Sequence, residues 1–158
     1  MTPYYESSLG RKQRDALLLI EDSADLAALI KVAVEKSAVD AEVVVARDGL
    51  EALDVLFGDG VFAKKNNALL PCLILLDLNL PKFRGDQVLQ VLKSEARTQG
   101  IPTVVLSGSD YEIDELDSLG LGAMAFVRKP SRNYLSTMIT IIEAYWPSPE
   151  DDEDDARP

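Results

Sequence analysis

Glu21 and Asp22 close one short apolar run, Asp77 closes another and Ser107 a third, while Lys129 follows a fourth and precedes Pro130. Brought together, these residues would make an acidic pocket with one fixed ammonium and one hydroxyl. Crowded carboxylates repel, and some stay protonated unless a cation relieves them. Oxygen donors without histidine or cysteine suit Mg²⁺ (or Mn²⁺), a hard ion that keeps several of its waters. Such an ion also neutralises an incoming phosphoryl group. The hydroxyl and the lysine could then hold the other phosphoryl oxygens, leaving Asp77 as a carboxylate nucleophile for in-line transfer. Taken singly, each residue has a plainer role. Asp22 or Ser23 could cap a helix, Asp77 could be a turn residue, and Ser107 a local hydrogen-bond partner. Lys129-Pro130 could be a surface pair. The joint reading rests on four run ends that all carry the types phosphoryl acceptance requires.

For those ends to meet, the runs must be neighbouring parallel strands, whose carboxyl ends and following loops gather function. The runs are Ala16–Ile20, Glu42–Ala46, Cys72–Leu76, Thr103–Leu106 and Met124–Val127. All but the second are nearly continuous in apolar residues, as in strands buried on both faces. Helical stripes lie between them. Leu26, Leu29, Ile30, Ala33 and Val34 form the first, and Leu50, Leu53 and Phe57 the second. Val88 with Leu92 marks a third helix, Ile113 with Leu116 a shorter fourth. Leu135, Met138, Ile139, Ile142 and Tyr145 form the fifth. Breakers fall between elements: Gly58, Pro71, Pro81, Pro102, Gly120, Gly122 and Pro130. Five strands alternating with helices predict a doubly wound α/β sandwich with right-handed crossovers.

Composition removes rival chemistries. The chain has no histidine, which excludes serine–histidine and cysteine–histidine hydrolysis and histidine-based metal sites. Its one cysteine, Cys72, excludes an internal disulfide and reads as a packing thiol. A net charge of −11 argues against nucleic acid as a partner. Six acids between Glu150 and Asp155 account for much of that charge. No segment reads as membrane-spanning or targeting, so a cytoplasmic location is expected. The expected organisation is a flexible segment over 1–14, one domain over 15–147 and an acidic disordered tail over 148–158.

The segments LLLIEDS, LILLDLNLPKFRG, VVLSGSD and FVRKP resemble, in order and spacing, the signature blocks of response-regulator receiver domains. The resemblance runs from about Ala16 to Trp146. It implies a flavodoxin-like five-stranded parallel sheet of order 2-1-3-4-5 with helices on both faces. By position, Asp77 corresponds to the phosphoacceptor, and Glu21 with Asp22 to the acidic pair that coordinates Mg²⁺. Asn79 corresponds to the residue whose backbone carbonyl completes the metal site. Ser107 and Lys129 correspond to the phosphoryl-binding hydroxyl and lysine, and Phe126 to the aromatic whose rotamer follows the hydroxyl. Gly108 stands where a small residue keeps the pocket open. The implied partner is a sensor histidine kinase. The Asp59–Leu70 insertion and the final Tyr145-Trp146 are further similar to single-domain regulators paired with bacterial phytochrome kinases. SGSDYEIDELDSLG departs from that subgroup's Thr-rich turn.

Three other functions compete. An FMN binder of the same fold needs a Ser/Thr/Gly-rich phosphate cradle after the first strand, where Glu21-Asp22 would repel a phosphate. An aspartyl-nucleophile phosphatase wants its nucleophile after the first strand, not the third. A degenerate receiver used only for docking would not need the intact acceptor, acidic pair and lysine. With no effector domain expected, output should pass through protein contacts, to a downstream protein or a homodimer. The expected surface is the face of the fourth helix, fifth strand and fifth helix. Ile141 and either Tyr145 or Trp146 are expected to lie partly outside the core there. The alternative is that Tyr145 and Trp146 cover the sheet's lower edge.

Overall fold

The structure is a computed structural model that describes residues 15–58, 70–80, 83–108, 120–129 and 132–147. The expected fourth helix around Ile113 and Leu116, nearly all of the Asp59–Leu70 insertion, and both terminal segments lie outside the described residues.

Strands β1 (Asp15–Ile20), β2 (Ala41–Ala46), β3 (Leu73–Asp77), β4 (Thr103–Ser107) and β5 (Ala125–Arg128) form one sheet of order β2-β1-β3-β4-β5. Every pairing is parallel. The four described helices are α1 (Ala24–Lys36), α2 (Gly49–Phe57), α3 (Gly85–Ser94) and α4 (Tyr134–Tyr145). Successive side chains of a strand point to opposite faces, so the LLLI and LILL runs supply two cores at once. Leu18, Ile20, Ile74, Leu76 and Val105 face α2 and α3, meeting Ala52, Leu56, Val88, Leu89 and Leu92. Leu17, Leu19, Leu73, Leu75, Val104 and Leu106 face α1 and α4, meeting Ile30, Ala33, Val34, Met138 and Ile142. Each such leucine or isoleucine contributes roughly 1.5–3 kcal/mol by leaving water.

The register aligns the functional ends. Ile20 lies beside Leu76, so Glu21 follows level with Asp77. Asp77 pairs with Leu106 and Ser107 with Arg128, which sets Lys129 at the same edge.

Several expectations need correction. Strand β5 is only half-buried along most of its length, because it is an edge strand with one neighbour. Met124 precedes that strand and is 57% exposed. On α2, Leu50 is 53% exposed, and the buried stripe runs through Gly49, Ala52 and Leu56. Gly49 sets this rotation: a Cβ there would collide with the Phe83 backbone, so this turn lies hard against its neighbour. On α1, Ala27 rather than Leu26 or Leu29 joins the fully buried stripe. Ile141 is buried at 7% exposure, against the expectation that it would lie outside the core. A helix that packs on both α1 and the sheet buries a wider arc than one stripe. Tyr145 and Trp146 are half-buried against the core shared by α1 and α4. With Asp15, Cys72, Pro102 and Met124 they line a cleft of about 450 Å³ beneath the amino ends of the strands. They cover the sheet's lower edge, as the alternative has it, while staying partly outside the core. Cys72 is half-buried at that edge, less enclosed than a core thiol.

Candidate metal and phosphoryl site

Each functional side chain is delivered by a strand end and fixed by the turn that follows it. Glu21 continues β1: its N–H donates to the Ala46 carbonyl at 2.9 Å, extending the β1–β2 ladder by one residue. Its carboxylate Oε2 accepts from the Ser23 N–H at 3.3 Å. Ser23 in turn caps α1, its Oγ accepting from the Leu26 N–H at 3.2 Å. With Ser23 as the cap, Asp22 is left exposed between two fixed residues.

Asp77 ends β3 and is 3% exposed. Its Oδ1 accepts from the Asn79 N–H at 3.2 Å, a local turn that fixes the carboxylate. Gly85 backs the same turn. A Cβ on Gly85 would sit 2.6 Å from the Asp77 carbonyl oxygen and 2.7 Å from Leu78 Cα, so any side chain would push the acceptor's backbone out of place. Ser107 is fully buried at the end of β4. Its carbonyl accepts from the Lys129 N–H at 2.6 Å, which ties the lysine's backbone to the serine. The Lys129 Nζ reaches across the sheet edge to Asp77 Oδ1 at 3.0 Å and Glu21 Oε1 at 3.3 Å.

Of the predicted site residues, Glu21, Asp22, Asp77 and Lys129 are thus brought together, with the Ser107 backbone joined to Lys129. Phe126 stands apart. It lies half-buried in β5 beside Val105 and packs against the core on the α2–α3 side of the sheet. A Cβ added to Gly108 would meet nothing within 4 Å, so that position is open.

Oxygens of Glu21, Asp22 and Asp77 all lie within 4.8 Å of one another. Burial, and then the charge of Asp77, push the Glu21 carboxyl up from 4.5 to about 7, against the pull of Lys129 and the Ser23 N–H. Burial works to lower the Lys129 ammonium, but its hydrogen bond to Asp77 and the charges of Asp77 and Glu21 outweigh it and raise its pKa. One ammonium does not offset this concentration of acid. Three carboxylate oxygens gathered this closely, one of them on a buried Glu21 whose charged form is disfavoured, fit a hard divalent cation, which would use the oxygens as ligands and favour their ionised form.

Two features escaped the sequence reading. Tyr134, in the first turn of α4, has a hydroxyl that is buried and has no hydrogen-bond partner among the described residues. Its phenol is pushed up by burial, and it feels the charges of Lys129, Glu21 and Asp77. An aromatic five residues beyond Lys129 was the available signal, but helical spacing assigns it to packing. The second feature is a cleft of about 290 Å³ beside the acidic pair, where Lys31 and Arg47 join Glu21, Asp22 and Ala27. Those two cations come from different elements, and no sequence spacing links them.

The chain matches the family model of the response regulator receiver domain over residues 17–140. It is 39% identical over 132 residues to the response regulator Rcp1 of Synechocystis, spanning 82% of this chain and 87% of that protein. Among solved structures it is similar to the phosphorylated cyanobacterial phytochrome response regulator RcpA. There the TM-score is 0.75 at 36% identity, covering 86% of this chain and 100% of that one. The Mn²⁺-bound form of Rcp1 is also similar, with a TM-score of 0.74 at 31% identity over 85% of this chain and 99% of that one. Fold, strand order, acidic cluster and family match agree: the chain belongs to the response regulator receiver domain family.

Proposed function

We propose that this receiver domain takes a phosphoryl group on Asp77 from the phosphohistidine of a sensor histidine kinase, one of the phytochrome type, and signals by altered protein contacts. The observation that carries the reading is the Lys129 ammonium held between Asp77 and Glu21, beside Asp22, at the carboxyl end of a parallel sheet. Among the described residues, the Asp77 contacts fall on Oδ1, and the attack is assigned to Oδ2. A bond forms between Oδ2 and phosphorus as the bond from phosphorus to the donor nitrogen breaks, and the freed imidazole takes up a proton. Lys129 holds one phosphoryl oxygen, and the Ser107 hydroxyl donates to another. Mg²⁺ or Mn²⁺, held by Glu21, Asp22, Asp77 and the Asn79 carbonyl, would supply charge neutralisation at the transferring group. Phe126 follows the hydroxyl and transmits the change through β5. The only reaction assigned to the chain is its own phosphorylation and the hydrolysis that reverses it.

The receiver unit spans 15–147, with the segments 1–14 and 148–158 outside it. Among the described residues no helix is long and apolar enough to cross a membrane. The proposed setting is cytoplasmic, with protein partners: a kinase, a downstream target and a second copy in a homodimer. The acidic balance supports the exclusion of nucleic acid. Labelling by acetyl phosphate or a partner kinase tests the core of the reading. Asp77→Asn should abolish labelling while the circular dichroism spectrum is unchanged, and persistent labelling of the variant would sink the assignment.

A further inference from the structure

Tyr134 enters α4 through Asn133, a residue in the left-handed region at φ 54° and ψ 38°. Such a conformation is uncommon outside glycine, although asparagine tolerates it. The ring then packs, half-buried, on the core shared by α1 and α4. Its hydroxyl is enclosed and unpaired among the described residues. Folded proteins leave few buried polar atoms without a partner, because each has lost its hydrogen bonds to water without replacing them. An apolar phenylalanine of the same shape would serve packing equally well. The hydroxyl therefore has a cost in the resting fold and no compensation there.

The charges that reach this phenol are those of Lys129, Glu21 and Asp77. They are also the groups that must rearrange when Asp77 carries a phosphoryl group. Lys129 now spends its ammonium on Asp77 and Glu21, and it has to turn toward a phosphoryl oxygen. Glu21 Oε1 then loses its ammonium donor, and the cation proposed for the site becomes the carboxylate's charge partner. We propose that Tyr134 is a positioning residue whose hydroxyl gains its hydrogen bond only in the phosphorylated arrangement, donating to the Glu21 carboxylate that Lys129 vacates. A ligand shifts a conformational equilibrium only by what it does differently in the two states. A hydroxyl unsatisfied in one state and paired in the other supplies such a difference, and its position at the start of α4 links the site to that helix. The inference rests on the reading of Asp77 as acceptor.

The test compares the unaltered protein with Tyr134→Phe, using beryllofluoride with Mg²⁺ as the phosphoryl mimic. Without the mimic, Tyr134→Phe should melt higher, by about 2–4 °C for loss of one unpaired buried hydroxyl. Its apparent affinity for beryllofluoride at fixed Mg²⁺ should be weaker, by roughly fivefold to tenfold for one hydrogen bond. Met138→Ala serves as the packing control in the same helix: it should lower the melting temperature and leave mimic affinity within about twofold. Mimic affinity in Tyr134→Phe equal to that of the unaltered protein would overturn the proposal and leave the acceptor reading standing. No response to beryllofluoride in the unaltered protein would remove the acceptor reading, and this proposal with it.

Discussion

Asp22 is the exposed member of the acidic trio, whereas Glu21 and Asp77 are nearly enclosed. That difference assigns different costs to the three carboxylates. Glu21 and Asp77 are fixed by backbone N–H groups and by Lys129, so their removal disturbs the resting fold. Asp22 has water as its alternative, and its loss falls on the cation alone. Asp22→Ala should therefore keep the melting temperature within about 1–2 °C while weakening Mg²⁺ binding at least tenfold. Fluorescence or calorimetric titration with Mg²⁺ checks this, and undiminished labelling in excess chelator would contradict the metal requirement. Ser107 presents the opposite case, a fully buried hydroxyl. Ser107→Ala should still be labelled but should respond weakly, since the proposed switch turns on a hydrogen bond the alanine cannot make. Normal partner affinity in the labelled variant would place the switch elsewhere.

At the scale of elements, α4 joins the site to the lower edge of the sheet. It begins with Tyr134, five residues after Lys129, and ends with Tyr145 and its cap Trp146 over the amino ends of the strands. Its middle is anchored by Met138, Ile141 and Ile142. Because Ile141 is part of that anchor, a charged residue there would not produce a folded monomer. Ile141→Ala should cost about 2–5 kcal/mol, and Ile141→Glu more, since it would bury a charge without a partner. Urea denaturation measures both, and a loss below about 1 kcal/mol for the alanine variant would show that the helix packs differently. The short helices depend on their caps in the same way: Ser23 closes the start of α1 and Asp48 that of α2, where its Oδ1 accepts from the Glu51 N–H at 2.8 Å.

For the whole molecule, the proposed readout by protein contacts requires that the state of the site reach the surface. Phe126 and α4 lie on opposite faces of the sheet, so in the proposed switch a change at the strand ends would reach both faces through β5, the least buried strand. A homodimer is expected to involve this side, with exposed Met124 and half-buried Tyr145 at its edge rather than Ile141. Light scattering should give twice the mass of the 17.3 kDa chain, and Tyr145→Glu should reduce it to one. A monomer with and without beryllofluoride would remove the dimer. The sequence by itself determined the sheet and most of the site, because period and position are local. LLLI and LILL can be buried on both faces only inside a parallel sheet, and residues that directly follow such runs must gather at its carboxyl edge. Burial is not local. Which of Leu50, Leu53 and Phe57 meets the sheet depended on how closely Gly49 lets α2 approach Phe83. Ile141 was decided by α1 as well as by the sheet. Only the tertiary structure showed that Lys129 spans two carboxylates and that the Tyr134 hydroxyl lies buried without a partner, since both depend on distances between elements far apart in the chain.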